Sequence, residues 1–383
     1  MRIVFFSHPA FLNIRSIARY AQWLSDGMAA LGHDTKIVVP EGKYHRRSSS
    51  IFLQKWLGYV DSFVSFPRVL EKYVREGDGN TLFVLVDQAL GPWVPYLKKG
   101  KLVVHCHDFL AQKSADGVYP QNPLSKTGKI YQQYIRNGFA QGKNFICISN
   151  KTKQDLLQYL PNQPQFSEVV YNGIAPVFRY KKKEDIKPQY AWEKTGFFLH
   201  VGGNQWYKNR LGVVVAYIAF RKKYNCPLPL VLVGEPLSGV AVQAIAHTQL
   251  TQDVHLLSNI DDERLCDLYN QTSLFLFPSI AEGFGWPIAE AMQCGASVLT
   301  TDDAPMTEVG GEVAWYVPIM PVDTNAQKTW SDNVASKMKA ILDLPETEKE
   351  KRKQQGIQYV AKFDSKKALE KIEKIYRSIL DNN

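Results

Sequence analysis

Short apolar runs alternate with amphipathic stretches along almost the whole chain, and most of the runs stop at a polar residue or a glycine. That alternation is the pattern of parallel strands buried on both faces, each followed by a helix that covers the sheet. Ile3–Ser7, Thr35–Val39, Thr81–Val86, Leu102–Cys106, Phe145–Ile148 and Val169–Tyr171 are expected strands, with a helix over Ser16–Leu31 closed by Gly32. A polar, lysine-rich stretch from Tyr180 to Lys194 then reads as a linker, after which the pattern restarts. Strands are expected at Phe197–Val201, Leu228–Val233, Val254–Leu257, Leu274–Phe277 and Ser297–Thr301, and helices over Asn209–Lys223, Ser238–Leu250, Glu263–Asn270 and most of the chain from Gln327. With 383 residues the chain exceeds what one core usually supports. The expectation is an α/β protein of two successive Rossmann-like halves.

Composition narrows the function classes. Hydrophobic residues make up 45% and charged residues 22%, ordinary for a globular protein. No apolar run reaches the length of a membrane span. Met1 to Phe6 reads as a first strand and not as a signal peptide. The five cysteines are scattered singly, which suggests reduced thiols in a cytoplasmic protein. The net charge of +9 favours an acidic partner. No zinc finger, RNP-type strand or helix-turn-helix is visible, so nucleic acid is not expected. Between Lys43 and Lys72, basic residues (Lys43, Arg46, Arg47, Lys55) mix with Phe52, Leu53, Trp56, Leu57, Tyr59, Phe63 and Phe66. Such a segment suits either the domain's own sheet, the favoured reading, or peripheral contact with an anionic membrane.

Candidate site residues gather where strands end. Asp87-Gln88, His107-Asp108, Ser149-Asn150 and Asn172-Gly173 each follow an expected strand, where ligands of open α/β sheets collect. His105 and His107 share a strand face, but no second ligand set joins them, so no metal site is expected. Gly202 to Asn209 (GGNQWYKN) lies between a strand and a helix; its glycines, Asn204, Lys208 and Asn209 suit a diphosphate. Pro278 to Gly295 (PSIAEGFGWPIAEAMQCG) follows the strand Leu274–Phe277. It passes through Gly283 and Gly285 into a helix expected to start with Pro287 at its first position, with Glu282 on the loop and Glu290 in the first helical turn. From spacing alone, this is a phosphate or polyol site.

The last segment resembles the E-x7-E motif of retaining glycosyltransferases of family 4, which have the GT-B fold: two Rossmann-like domains facing each other across a cleft. The resemblance covers nearly the whole chain. It implies an N-terminal acceptor-side domain over 1–180, a nucleotide-sugar domain over 181–362 and a helix over 363–383 that returns to the N-terminal domain. It further implies that Glu290 holds ribose, that Glu282 with Gly283, Phe284 and Gly285 holds the donor sugar, and that Lys208, beside Gly202, Gly203, Asn204 and Asn209, meets the pyrophosphate. Asn204 stands where the family often has an arginine, so that either Lys208 acts alone or Arg210 substitutes. The loop 258–265, with Ile260, runs past the base, and His107 faces the donor sugar. The absence of D-x-D agrees with a reaction needing neither metal nor cofactor. The first loop, Ser7–Ser16, lacks the family's glycine pair; Asn13, Arg15 and Ser16, with Asp108, are the acceptor-side candidates. The implied activity is a retaining hexosyltransferase that moves a sugar from a nucleotide sugar to a glycan or lipid-linked glycan, in bacterial polysaccharide biosynthesis, in the cytoplasm or at the inner face of the membrane. Alternatives are a GT-B sugar-nucleotide epimerase or phosphorylase, or a non-catalytic GT-B scaffold subunit.

Overall fold

The computed structural model describes residues 1–12 and 14–381. Its chain forms two compact units: residues 1–119, 123–171 and 366–383 make the first, and 120–122 with 172–365 the second.

The first unit is a six-stranded parallel sheet. Its strands are β1 (Arg2–Phe6), β2 (Asp34–Val38), β3 (Thr81–Leu85), β4 (Lys101–Cys106), β5 (Asn144–Cys147) and β6 (Phe166–Val169), in the order β2-β1-β3-β4-β5-β6. The helices are α1 (Arg15–Ala30), α2 (Ile51–Val60), α3 (Phe66–Glu76), α4 (Val94–Leu97), α5 (Leu110–Ala115), α6 (Lys126–Phe139) and α7 (Asn150–Tyr159). The last strand lies at Phe166–Val169 and not at Val169–Tyr171: it pairs with β5 from Asn144↔Phe166 to Cys147↔Val169, and its half-buried, polar sequence hides it.

Residues 43–72 pack on the domain's own sheet only in part. The π-turn Asp61–Ser65 joins α2 to α3, and Asp61 is buried, its carboxylate accepting the backbone N–H groups of Tyr44 and His45. Beyond the turn Phe66 and Leu70 enter the core, while Ile51, Phe52, Leu53 and Trp56 of α2 stay exposed.

The second unit repeats the plan with β7 (Phe198–Val201), β8 (Leu230–Val233), β9 (Val254–Leu257), β10 (Leu274–Phe277), β11 (Val298–Thr301) and β12 (Trp315–Val317), ordered β12-β11-β10-β7-β8-β9 and all parallel. Its helices are α8 (Trp192–Thr195), α9 (Arg210–Lys223), α10 (Gly239–Ala246), α11 (Asp262–Gln271), α12 (Trp286–Gln293), α13 (Met306–Gly310), α14 (Thr324–Leu342) and α15 (Glu346–Val360). After β9 the chain crosses to the other side of β7 to lay down β10. The β7/β10 pair is therefore a topological switch point, the place where open α/β sheets bind their ligands.

Residues 180–194 do not behave as a linker. Lys181 binds Glu263 at 2.8 Å and Asp267 at 2.7 Å, and Glu193 meets Arg264 in a buried two-pronged ion pair. Charges that read as solvated are neutralised by partners on α11, and the chain passes between the units at 171–172.

Helix α16 (Ser365–Asp381) belongs almost entirely to the first unit. The Tyr376 hydroxyl reaches His105 Nε2 at 2.7 Å, and Glu373 meets His33 at 3.1 Å. All five cysteines are free thiols.

Candidate functional site

In the second unit the loops after β7 and β10 are stapled together. Asn209 sits in the left-handed region (φ 51°), which asparagine tolerates better than most residues. Its Oδ1 accepts the N–H of Gly212 and so caps α9, while its Nδ2 donates to the Pro278 carbonyl at 2.8 Å. The N–H of Ile280 donates to the Tyr207 carbonyl at 2.7 Å.

These links bring two of the expected catalytic side chains into contact. Lys208 Nζ lies 2.8 and 3.0 Å from the two carboxylate oxygens of Glu282, and the Ser279 hydroxyl donates to the same carboxylate at 2.8 Å. The ammonium also stands 5.0 Å from the centre of the Phe277 ring, a cation–π contact. Both charges are largely withdrawn from water.

Helix α12 starts one residue earlier than expected: Gly285 is its N-cap (φ 96°) and Trp286 its first residue, so Pro287 takes the second position. A positive φ there favours glycine, which lacks the Cβ that penalises other residues. Glu290 is consequently in the second turn and not the first; it is buried and accepts a long hydrogen bond, 3.4 Å, from the Tyr269 hydroxyl. Burial and the neighbouring Glu290 charge push the Tyr269 phenol far up, so it stays a donor. Phe284 is buried with its ring edge-on to Phe363 at 5.3 Å.

The backbone of the glycine loop is less open than its sequence suggests. The Asn204 N–H already donates to Glu235 at 3.1 Å. Arg210 does not stand alone either: its Nη1 donates to Asn204 Oδ1 and to the Glu235 carbonyl, tying the loop after β7 to the loop after β8, while its buried Nε and Nη2 have no partner among the described residues. Gly234 (φ 137°) permits this approach, since a Cβ there would lie 2.4 Å from the Gly202 carbonyl oxygen. Ser258 donates to the Gly234 carbonyl at 2.7 Å, and Ile260 follows, just ahead of Asp261, the N-cap of α11.

His200, on β7 beneath Gly202, escaped the sequence reading. Its Nδ1–H donates to the Leu276 carbonyl at 2.9 Å, which leaves Nε2 as a buried acceptor without a partner among the described residues. Burial pushes its pKa down to about 3, so the ring is neutral.

In the first unit the corresponding switch point lies between β1 and β3. There His8 meets Asp87 at 2.9 Å, a pair the sequence reading also missed. Burial pushes the Asp87 carboxyl up, but the hydrogen bond from His8 and the nearby histidine charges outweigh it and hold the group below its usual range. His107 is buried; its Nε2–H donates to the Val86 carbonyl at 2.8 Å and its ring stands edge-on to Tyr20. Burial lowers its pKa. His105 is buried and held between the hydroxyls of Tyr20 and Tyr376. Asp108 Oδ1 accepts the Leu110 N–H at 3.0 Å, and Ser16 is exposed on α1. Asn13 and the side chain of Arg15 lie outside the described residues.

Two sequence families match consecutive parts of this chain: "Glycosyltransferase Family 4" over residues 17–177 and "Glycosyl transferases group 1" over residues 182–315. The chain belongs to the family 4 type of GT-B glycosyltransferases. Among its relatives, the O-antigen chain mannosyltransferase B of Escherichia coli is 33% identical over 139 residues, 36% of each chain. The serotype-specific mannosyltransferase WbdA of Escherichia coli is 25% identical over 284 residues, 72% of this chain and 33% of that one. The O-antigen chain mannosyltransferase RfbU of Salmonella typhimurium is 25% identical over 296 residues, 77% of this chain and 73% of that one. The chain thus spans about a third of the length of the two Escherichia coli relatives. Solved GT-B structures share the fold. A glycosyltransferase of Rickettsia africae superposes with a TM-score of 0.70 at 18% identity, covering 100% of this chain and 99% of that one. Anabaena HepE in complex with UDP gives 0.70 at 16%, covering 99% and 100%.

For a chain of this family, the structure joins Lys208 to Glu282 and packs Gly202 beside the Lys208 side chain. It pairs Glu290 with Tyr269. Of the residues not singled out from the sequence, Ser279 carried the clearest signal, since it lies within the Pro278–Gly295 stretch two residues after the end of β10. Tyr269 and Glu235 carried none, because each is brought in from an element far away in sequence.

Proposed function

We propose that the chain transfers a hexose, mannose first among the candidates, from a nucleotide-diphosphate sugar to a glycan or lipid-linked glycan with retention of anomeric configuration. The observation that carries the proposal is the Lys208–Glu282–Ser279 cluster at the β7/β10 switch point, one residue pair ahead of the glycine-capped start of α12. Three relatives named as mannosyltransferases support the choice of sugar, and a structural neighbour solved with UDP supports the nucleotide.

In this proposal the donor diphosphate displaces Glu282 from Lys208. The ammonium and the start of α12 then stabilise the charge that grows on the leaving group, with no metal required. Glu282, released, accepts hydrogen bonds from the sugar together with the backbone of Gly283, Phe284 and Gly285. Glu290 holds the ribose hydroxyls, and Ile260 passes the base. His107 keeps the role its resemblance gives it, contact with the donor sugar, and Asp108 and Ser16 serve the acceptor. The acceptor hydroxyl attacks the anomeric carbon from the face that the diphosphate leaves; the carbon–oxygen bond to phosphate breaks, and the departing phosphate oxygen takes the hydroxyl proton.

The test is product analysis by proton NMR after incubation with sugar nucleotides and glycan acceptors. A product with the donor's anomeric configuration is expected, and Lys208→Ala should lower kcat by about a hundredfold, the loss of roughly 3 kcal/mol of charge stabilisation. An inverted product contradicts the mechanism. Donor turnover that ignores acceptor indicates an epimerase instead.

A further inference from the structure

Helix α2 leaves much of its surface uncovered. Ile51 is 85% exposed, Phe52 68% and Trp56 54%. Only Gly58 is buried, pressed on Phe11, whose ring lies 2.9 Å from where a Cβ would be. Exposed and half-buried aromatics form a series: Phe52 to Trp56 at 6.4 Å between centroids, Trp56 to Tyr59 at 5.8 Å, Tyr59 to Tyr131 at 5.5 Å and to Phe63 at 6.0 Å, and Phe63 to Tyr134 at 5.7 Å. The series thus crosses onto α6, where Ile130 is 70% exposed. Beside it lies an open groove of about 420 Å³, lined by Phe11, Ile51, Tyr59, Phe63 and Tyr131. An apolar face of this extent on a folded domain marks an interaction surface.

Charge identifies the partner. Lys43, Arg46, Arg47 and Lys55 are exposed in and before α2, and Lys126 and Lys129 on α6. The sequence holds no Asp or Glu from Gly42 to Val60 or from Gly117 to Gln154. Asp61, the next acid after the first of these stretches, is buried and consumed by backbone N–H groups. A face of aromatic and aliphatic side chains bordered by these cations complements an anionic lipid surface; Asp87, whose charge reaches Tyr131, is buried and paired with His8. A second copy of the chain would oppose the same positive charges to each other and is disfavoured.

We propose that this face docks on an anionic phospholipid bilayer. Ile51, Phe52 and Trp56 enter the boundary between headgroups and acyl chains, and the flanking lysines and arginines pair with lipid phosphates. The proposal stands independently of the sugar-transfer reading, since it needs no donor and no turnover.

The test is co-sedimentation of the full chain with phosphatidylglycerol vesicles and with neutral phosphatidylcholine vesicles. Partitioning to the anionic vesicles should be at least about tenfold stronger and should weaken as salt is raised. The double substitution Phe52→Ser/Trp56→Ser should weaken it about tenfold while the circular dichroism spectrum and melting midpoint stay unchanged, because both side chains are exposed. Equal partitioning of wild type and double variant overturns the proposal, as does equal affinity for neutral and anionic vesicles. Self-association in the ultracentrifuge that the double variant abolishes also overturns it, by assigning the face to a second copy of the chain.

Discussion

Lys208 and Glu282 explain each other. A lysine or a carboxylate withdrawn from water alone costs several kcal/mol, and here each neutralises the other while Ser279 satisfies a further lone pair. The sequence showed both residues but not their contact, because nothing in a loop sequence says that Asn209 will pin one loop to the carbonyl of Pro278 on the other. Arg210 is the better test of how the site is built. One nitrogen of its guanidinium bridges Asn204 and the Glu235 carbonyl, a fixed geometry that lysine's flexible point charge does not reproduce. Arg210→Lys should therefore destabilise the second unit by about 1–3 kcal/mol, the usual loss when a buried hydrogen-bonding group is left unpaired. Urea unfolding of the variant measures this; an unchanged midpoint would mean that the bridge is incidental.

At the scale of elements, legibility followed burial on both faces. Leu274–Phe277 was readable to the residue because all four side chains are buried. Phe166–Val169 was misplaced because it is an edge strand whose residues are only half buried, so it lacks the apolar run that identifies a central strand. The start of α12 shifted by one residue because proline is acceptable in more than one position of a first turn, and the decisive feature is the positive φ of Gly285. Residues 180–194 misled for the opposite reason: their charges are the mark of a linker in isolation, yet Glu193 and Lys181 each find ionic partners on α11, about seventy and eighty residues on. Helix α2 shows a third limit. Its apolar content is that of a core helix, and only the structure reveals that the π-turn at Asp61–Ser65 ends the exposed half and begins the buried one.

At the scale of the molecule, two sheets built on the same plan each carry a neutral, buried histidine whose pKa burial depresses to about 3, His105 in the first unit and His200 in the second. In the unfolded chain both return to an ordinary value of about 6.5, so between that value and 3 the unfolded state binds protons that the folded state refuses. Stability is thus fully present above about pH 6.5 and is lost as pH falls, by roughly 1 kcal/mol per pH unit for each histidine. Urea midpoints at pH 7 and pH 5 should show the protein markedly weaker at pH 5; equal midpoints would show that the two rings titrate freely. The strand orders, with a switch point in each sheet, place the candidate residues by topology, which the sequence showed in outline, while the sugar, the base and the acceptor depend on side-chain detail beyond it. The most direct test of the central claim is thermal unfolding with GDP, UDP, dTDP and ADP and their common sugars, for wild type and Glu290→Ala. A ligand at about a hundred times its dissociation constant adds about 2.7 kcal/mol, so the account predicts a clear rise in melting temperature with one nucleotide family and its loss in Glu290→Ala. A wild-type protein that no sugar nucleotide stabilises, or a variant stabilised as well as the wild type, would contradict it.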